Sequence, residues 1–272
     1  MRLDIHHATR YAYSEPQRRL VQLLRMTPTS FAAQHVVDWH IEVDCDARFK
    51  RHTDGYGNIM TMLYIDGPVE EIEIAVSGEV LTDDRSGMIE DAPEPLPREA
   101  FRRSTELTRA DEAIRQFARD VRESETDPLK RMHVLMSRLL NEIAFEPTLD
   151  AVERDAATAF GASRGVCQDH AHIFCSAARA MGVPARYISG HLYRRDGAEL
   201  QEASHAWAEA HLPDIGWVGF DPANGISPDD AYVRLACGLD YRDAAPVAGQ
   251  RLGGGDEALT VEVRVTQAQA EQ

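Results

Sequence analysis

The hydrophobic pattern of this chain changes period near residue 84, and that change limits the fold more than any other feature. Up to Asp83 the apolar residues alternate. In "RLDIHHATRYAYS", Leu3, Ile5, His7, Thr9, Tyr11 and Tyr13 fall on one side, the two-residue period of a strand with one buried face. "HVVDWHIEVD" repeats the pattern with Val37, Trp39, Ile41 and Val43, and "VEEIEIAVSGEVLTD" repeats it with Ile72, Ile74 and Val76. "FKRHTDGYGNIMTMLYID" places turn chemistry, Asp54-Gly55 and Gly57-Asn58, between two extended runs. Residues 1–85 therefore read as an antiparallel β domain, with a sandwich as the expected arrangement.

Residues 86–99 carry Pro93, Pro95 and Pro97 among acidic neighbours, which is linker composition. From residue 100 a second domain follows, and its first elements have helical period. "DEAIRQFARDVRE" starts at Asp111. In "TDPLKRMHVLMSRLLNEIAF", Asp127 is the expected N-cap and Pro128 the first helical residue. Met132, Leu135, Met136, Leu139 and Ile143 then form a core stripe at helical spacing. Extended runs return in "ARYISGHLYR", "SHAWAEAHLP" and "GWVGFDP". A last strand, with Leu259, Val261, Val263 and Val265 alternating, closes the second domain at 100–272, and the final seven residues are expected to fray. The fold class is α+β.

The formal net charge of −16 repels phosphate backbones and argues against a nucleic-acid partner. No stretch approaches the roughly 18 consecutive apolar residues of a membrane-spanning helix, and "MRLDIHHATRYAYSE" lacks the apolar core of a signal peptide. Four scattered cysteines, Cys45, Cys167, Cys175 and Cys237, form no tight disulfide framework. The expected compartment is the cytoplasm.

One stretch concentrates reactive side chains: "GVCQDHAHIFCSAARAMG", residues 165–182. Gly182 and Pro184 supply a helix stop, so the segment reads as a helix. At about 100° per residue, His170 and His172 point roughly 160° apart, so Cys167, His170, His172 and Cys175 cannot converge on one metal ion. Cys175, and with it Cys45 and Cys237, reads as a small apolar residue. Cys167 differs by position. It falls in the first turn, where free N–H groups and the helix dipole favour negative charge, the nucleophilic form of a sulfur. Those N–H groups can also cradle an oxyanion.

A thiolate nucleophile needs a base and a group that orients it. "SHAWAEAHLPDIGWVGFDPAN" reads as a hairpin turning at Pro213–Gly216, which brings His205 and Asp221 to the same mouth. The pairing register is not set by the sequence. Asp169, near the helix start, has a capping role by default, and His170 lies on the Cys167 side of the helix. Trp207 and Trp217 are candidates for shielding a site from water. Arg194 and Arg195 read as a solvated tip or as contacts for a substrate carboxylate.

Together, "GVCQDHAHIF", "PARYISGHL", "SHAWAEAHLPDIGWVGFDPANG" and the early "DGYGN" resemble bacterial transglutaminase-like proteins, cysteine proteases of the papain-like superfamily. The resemblance implies an N-terminal β domain followed by a papain-like core, with a catalytic helix packed on an antiparallel sheet. It implies a Cys167–His205–Asp221 triad, with Gln168, Asp169, His170, Trp207 and Asn224 around it. Six residues before Cys167, where papain-like proteases carry an oxyanion-hole glutamine, this chain has Gly161. The tryptophan that animal-type transglutaminases place upstream has only Trp39 as a counterpart, in the other domain. No EF-hand pattern is present, and no metal or cofactor is implied. The expected substrate is a peptide or protein. Three functions remain open at this level: hydrolysis of an amide through a thioester, transamidation by the same triad, and a binding module whose triad is unused.

Overall fold

A computed structural model describes residues 1–147, 153–198 and 200–268. The N-terminal region holds β1 (Arg2–Thr27), β2 (Gln34–Val43), β3 (Arg48–Thr53) and β4 (Ile59–Thr82). Next come the two-residue β5 (Met88–Ile89), a 3₁₀ turn at Arg98–Arg102, α1 (Glu112–Ser124), α2 (Pro128–Glu142) and β6 (Ala144–Phe145). The chain continues through α3 (Ala156–Ala162), β7 (Arg164–Gly165), α4 (Cys167–Ala180), β8 (Ala185–Leu192), β9 (Leu200–Gln201), β10 (His205–Leu212), β11 (Gly216–Phe220) and β12 (Tyr232–Gly238). It closes with α5 (Tyr241–Ala244), β13 (Val247–Leu252) and β14 (Glu257–Gln267).

The alternation of residues 1–83 does form strands, but in one sheet and not in a two-sheet sandwich. Strands β1 and β4 pair antiparallel along almost their whole length, interrupted by bulges near Gln17. Pro16, which has no N–H to give, falls in that irregular stretch. Tyr11, Ile72 and Ile74 from one side of the bulge share a core with Leu20, Leu24, Leu63 and Ile65 from the other, so the long hairpin curls on itself. The expected inward set Leu3, Ile5, His7, Thr9, Tyr11 and Tyr13 is buried throughout. Val37 is exposed, because the register shift between Val36 and Asp38 turns it out of the stripe.

The expected domain boundaries do not follow the hydrogen bonding. The last strand, assigned by sequence to the second domain, pairs with β1 from Tyr13↔Glu257 to Leu3↔Gln267, and β13 pairs with the later part of β1. Thr266 and Gln267, expected to fray, belong to that ladder, whereas 269–272 lie outside the described residues. The 86–99 segment is no free linker either: Met88 and Ile89 pair with Val218 and Trp217 and so extend the second sheet.

That second sheet has the order β12-β8-β10-β11-β5. Helix α4 packs on it through Ala206, Ala208, Ala210, Val218 and Phe220, and α1 and α2 add Ile114, Phe117, Met132, Leu135 and Leu139 to the same core. Asp111 and Asp127 cap α1 and α2 by accepting from Ile114 N and Lys130 N at 2.8 and 2.9 Å, the second as its sequence position predicts. The core helix α4 is buried on every side from Asp169 to Arg179, so it has no solvent face. It stops at Gly182, whose φ of +82° suits glycine, with Val183 N reaching back to Ala178 O.

Strand β12 is an edge of the second sheet, and its free backbone groups need partners. Two amide side chains of the N-terminal region supply them. Gln34 donates to Arg234 O and accepts from Arg234 N at 2.9 and 2.7 Å. Asn58 does the same with Cys237 O and N, at 2.7 and 2.8 Å. The "DGYGN" loop is thus a docking element as well as a turn: Asp54 holds Asn58, and Tyr56 Oη donates to Asp243 at 2.7 Å. Among the described residues, no helix is long and apolar enough to cross a membrane.

Two stability outcomes follow. Asn58→Ala strands a buried N–H and C=O of Cys237, and should cost about 2 kcal/mol or more in urea denaturation; a change within error would contradict the docking role. The second concerns His7 and His191, whose rings lie 5.3 Å apart between the two sheets. Burial pushes His7 down to about 4 and His191 well below 6.5. The unfolded chain takes up these protons first, so their contribution is full above about pH 6.5 and drains as pH falls toward about 4. The loss of stability between about pH 6.5 and 5 should be smaller in His191→Leu than in the parent protein; equal slopes would contradict it.

Candidate active site

The start of α4 is built by a carboxylate folding back on the chain. Asp169, in the first turn, accepts from Val166 N at 2.9 Å and also receives Arg154. Burial pushes its carboxyl up, against the pull of those two donors. A Cβ on residue 165 would lie 2.6 Å from Asp169 Cβ and 2.7 Å from its Oδ2, so only glycine fits beside this cap. Cys167 is the first residue of the helix, half-buried, and lines a cleft of about 810 Å³.

The other residues of the motif turn away from one another. His170 contacts two backbone oxygens, Val166 O at 2.9 Å and Ile143 O at 3.2 Å. His172 Nε2 accepts from Tyr241 N at 3.0 Å, and burial pushes this imidazole down to about 4. Cys175 is fully buried in the core, where burial raises its thiol to about 11. Gln168 is half-buried and does not line the cleft. Among the described residues, no group of three or more His, Cys, Asp or Glu side chains is arranged to hold a metal ion.

His205 and Asp221 are brought together from the two strands of the β10–β11 hairpin. Its register, Ala208↔Phe220 through Leu212↔Gly216, leaves a three-residue loop, Pro213 to Ile215. Extended outward, that register sets Asp221 across from Trp207, so the His205–Asp221 contact is diagonal. His205 Nε2 meets Asp221 Oδ2 at 2.6 Å, which leaves Nδ1 for Cys167. Burial opposes charge on His205. Asp221 outweighs it, with Cys167 as the next contributor through a hydrogen bond and charge, and the imidazolium is pushed up to about 10.

Asp221 is completely buried. Burial disfavours its charge, but His205, Tyr232 and Asn224 hold the carboxyl below its usual range. Oδ2 receives His205, Asn224 Nδ2 at 2.7 Å and Tyr232 Oη at 2.8 Å. Oδ1 accepts the backbone N–H groups of Ala223 and Asn224 at 3.0 and 3.2 Å. The "DPANG" sequence makes this possible. Gly225, at φ +69°, turns the loop so that its N–H reaches Asp221 O at 2.7 Å. Asn224 was expected near the site and is there, lining the cleft.

Tyr232 escaped the sequence reading. It sits at the start of β12, inside the run "AYVRLACG", which carries no motif. Its ring packs edge-on against Trp207 at 5.4 Å and lies 5.9 Å from His205. Trp207 is buried behind His205, ring centroids 6.2 Å apart. Trp217 is elsewhere, against Phe101, His211 and the Arg186 guanidinium. Neither tryptophan lines the cleft. Arg194 and Arg195 do, but both are engaged, the first with Asp196 and the second with Asp229 and Asp230. Gly161, on α3, is exposed and outside the cleft. Trp39 donates to Met26 O in the N-terminal sheet.

A sulfur at a helix start, an imidazole and a saturated buried carboxylate in succession define the geometry of thiol-based acyl-transfer enzymes. Residues 115–222 match the transglutaminase-like superfamily, and residues 3–81 match the bacterial transglutaminase-like N-terminal region. The chain thus combines a transglutaminase-like core with a bacterial transglutaminase-like N-terminal region. An uncharacterized Mycobacterium leprae protein is 28% identical over 280 residues, covering 97% of this chain and 98% of the relative. A Pseudomonas aeruginosa protein-glutamine gamma-glutamyltransferase is 27% identical over 162 residues, 53% of this chain and 21% of that protein. The crystal structure of a putative cysteine protease from Cytophaga hutchinsonii superimposes with a TM-score of 0.80 at 18% identity, covering 100% of this chain and 92% of the other. The fold is therefore a papain-like core carrying an N-terminal β region.

A double-mutant cycle tests the carboxylate's surroundings. Tyr232→Phe keeps the ring packing and removes one donor from a charged acceptor. Its coupling to Asp221→Asn in urea denaturation should be about 1.5–3 kcal/mol at neutral pH. Because the Asp221 carboxyl is held low when folded, that coupling should persist above its usual range and disappear as pH falls through the folded value. A cycle that closes at zero at pH 7 would contradict it.

Proposed function

We propose that the protein is a thiol-dependent acyl-transfer enzyme that hydrolyses a peptide or amide bond. The observation that carries this reading is the ordered contact of Asp221 with His205 and of His205 with Cys167, the last two lining an open cleft. Cys167 Sγ attacks the amide carbonyl carbon. The Cys167 N–H, at the helix start, donates to the oxyanion in this scheme. As the tetrahedral intermediate collapses, His205 gives its Nδ1 proton to the departing amine, leaving a Cys167 thioester. A water then loses a proton to His205 and attacks the thioester, releasing the carboxylic acid and restoring the thiolate and imidazolium pair. Asp221 stays ionised throughout and holds the ring. No metal or cofactor has a step in this scheme.

Hydrolysis and transamidation differ only in what resolves the thioester. The cleft is broad, and the two tryptophans that the sequence offers as shields are buried away from it. Water therefore has access, which favours hydrolysis. The name of the Pseudomonas aeruginosa relative supports the second reading, in which a primary amine takes the acyl group.

Iodoacetamide at about pH 6 should label Cys167 at least about tenfold faster than Cys45, and Cys167→Ala should abolish turnover of an amide substrate with the fold intact. Comparable labelling of the two thiols would overturn the reading. With a glutamine peptide and an added primary amine, released acid should exceed the amine adduct; the reverse would replace hydrolysis by transamidation.

A further inference from the structure

We infer that the cleft beside Cys167 selects a substrate with a bulky, uncharged apolar residue within two positions of the scissile amide, through Phe145, Leu200 and Ile226. This rests on the acyl-transfer reading of the same site and names its substrate class.

Of the large hydrophobic side chains exposed among the described residues, three line this one cleft. Phe145, Leu200 and Ile226 are 52, 55 and 42% exposed, and all line the cleft that holds Cys167 and His205. They come from three separate segments, β6, β9 and the loop after Asp221, so no one local sequence run explains the cluster. Each is held by backbone pairing that has nothing to do with its own burial. Phe145 pairs with Gly165, two residues before Cys167. Ile226 bridges to Asp221. Leu200 pairs with Arg264 of β14, so the N-terminal sheet fixes one wall of the cleft. Apolar groups held open to water around a reactive centre gain by being covered, and a substrate side chain covers them.

The charges of the cleft point the same way. Arg194 is paired with Asp196, and Arg195 with Asp229 and Asp230, so neither cation is left over for a substrate carboxylate. Glu202, also on the cleft, makes no ion pair among the described residues. The field that remains is negative and disfavours an acidic residue in the substrate.

The test uses the full chain and dipeptidyl chloromethyl ketones carrying leucine, glycine or aspartate at either of the two positions nearest the ketone, with iodoacetamide as a reagent too small to reach the walls. The leucine reagents should inactivate at least about tenfold faster than glycine, and aspartate should be slowest. In Leu200→Ser/Ile226→Ser, which alters only exposed side chains, the leucine preference should fall below about threefold while the iodoacetamide rate is unchanged. No leucine preference in the parent protein, or a preference that survives the double substitution, overturns this inference while selective iodoacetamide labelling leaves the acyl-transfer reading in place. Loss of selective iodoacetamide labelling in the parent protein sinks both.

Discussion

The ion pair between Asp221 and His205 is the constraint around which the second domain is arranged. A carboxylate with no solvent exposure costs several kcal/mol to bury unless its lone pairs are filled. Here five donors fill them, from the hairpin end, the "DPANG" loop and β12. Moving any of these elements strands a charge, so the strand order β12-β8-β10-β11 and the tight loop after Asp221 are mutually required. The imidazole held in this way keeps one nitrogen for Cys167, and α4 brings that sulfur in at the end of a helix buried on all sides.

Strand β10 divides its two faces between packing and polarity. Ala206, Ala208 and Ala210 are small enough to let α4 lie close. The opposite face carries Trp207 and Glu209. Glu209 is a second buried carboxylate, held low in pKa, against burial, by Arg186 and Arg234. Arg234 is also the residue whose backbone Gln34 caps, so the same strand that carries Tyr232 to Asp221 is the one on which the N-terminal region docks. The β region is therefore bound to the core through polar contacts on β12 and through its own β14, which reaches the cleft wall at Leu200.

Much of this was legible in residues alone. Cys167 stood out because a helix start favours negative charge, and His205 and Asp221 because a hairpin must bring its two ends together. The diagonal offset of that pair was not legible, since it depends on a three-residue loop length that the Pro213–Gly216 stretch does not dictate. Tyr232 was invisible because its partner is chosen by strand order, and no local pattern marks it. The same limit explains β14, whose alternating valines announce a strand but not that β1 is its neighbour. It also explains the sandwich expectation: alternation specifies a buried face and says nothing of whether one curled sheet or two provide it. Val37 failed for a local reason, the bulge beside it. For Arg194 and Arg195 the residues alone leave a solvated tip and a substrate contact open; Arg194 pairs Asp196 two residues on, whereas the partners of Arg195, Asp229 and Asp230, lie too far along the chain to be paired by inspection.

The most direct measurement of the central claim is the titration of the His205 ring by heteronuclear NMR, in the parent protein and in Asp221→Asn. The account predicts that both ring nitrogens stay protonated through neutral pH and titrate near about 10, and that Asp221→Asn brings the titration down toward or below the ordinary histidine value. A parent-protein ring that loses its proton near pH 6.5, unaffected by the substitution, would contradict the ion pair and the arrangement built on it.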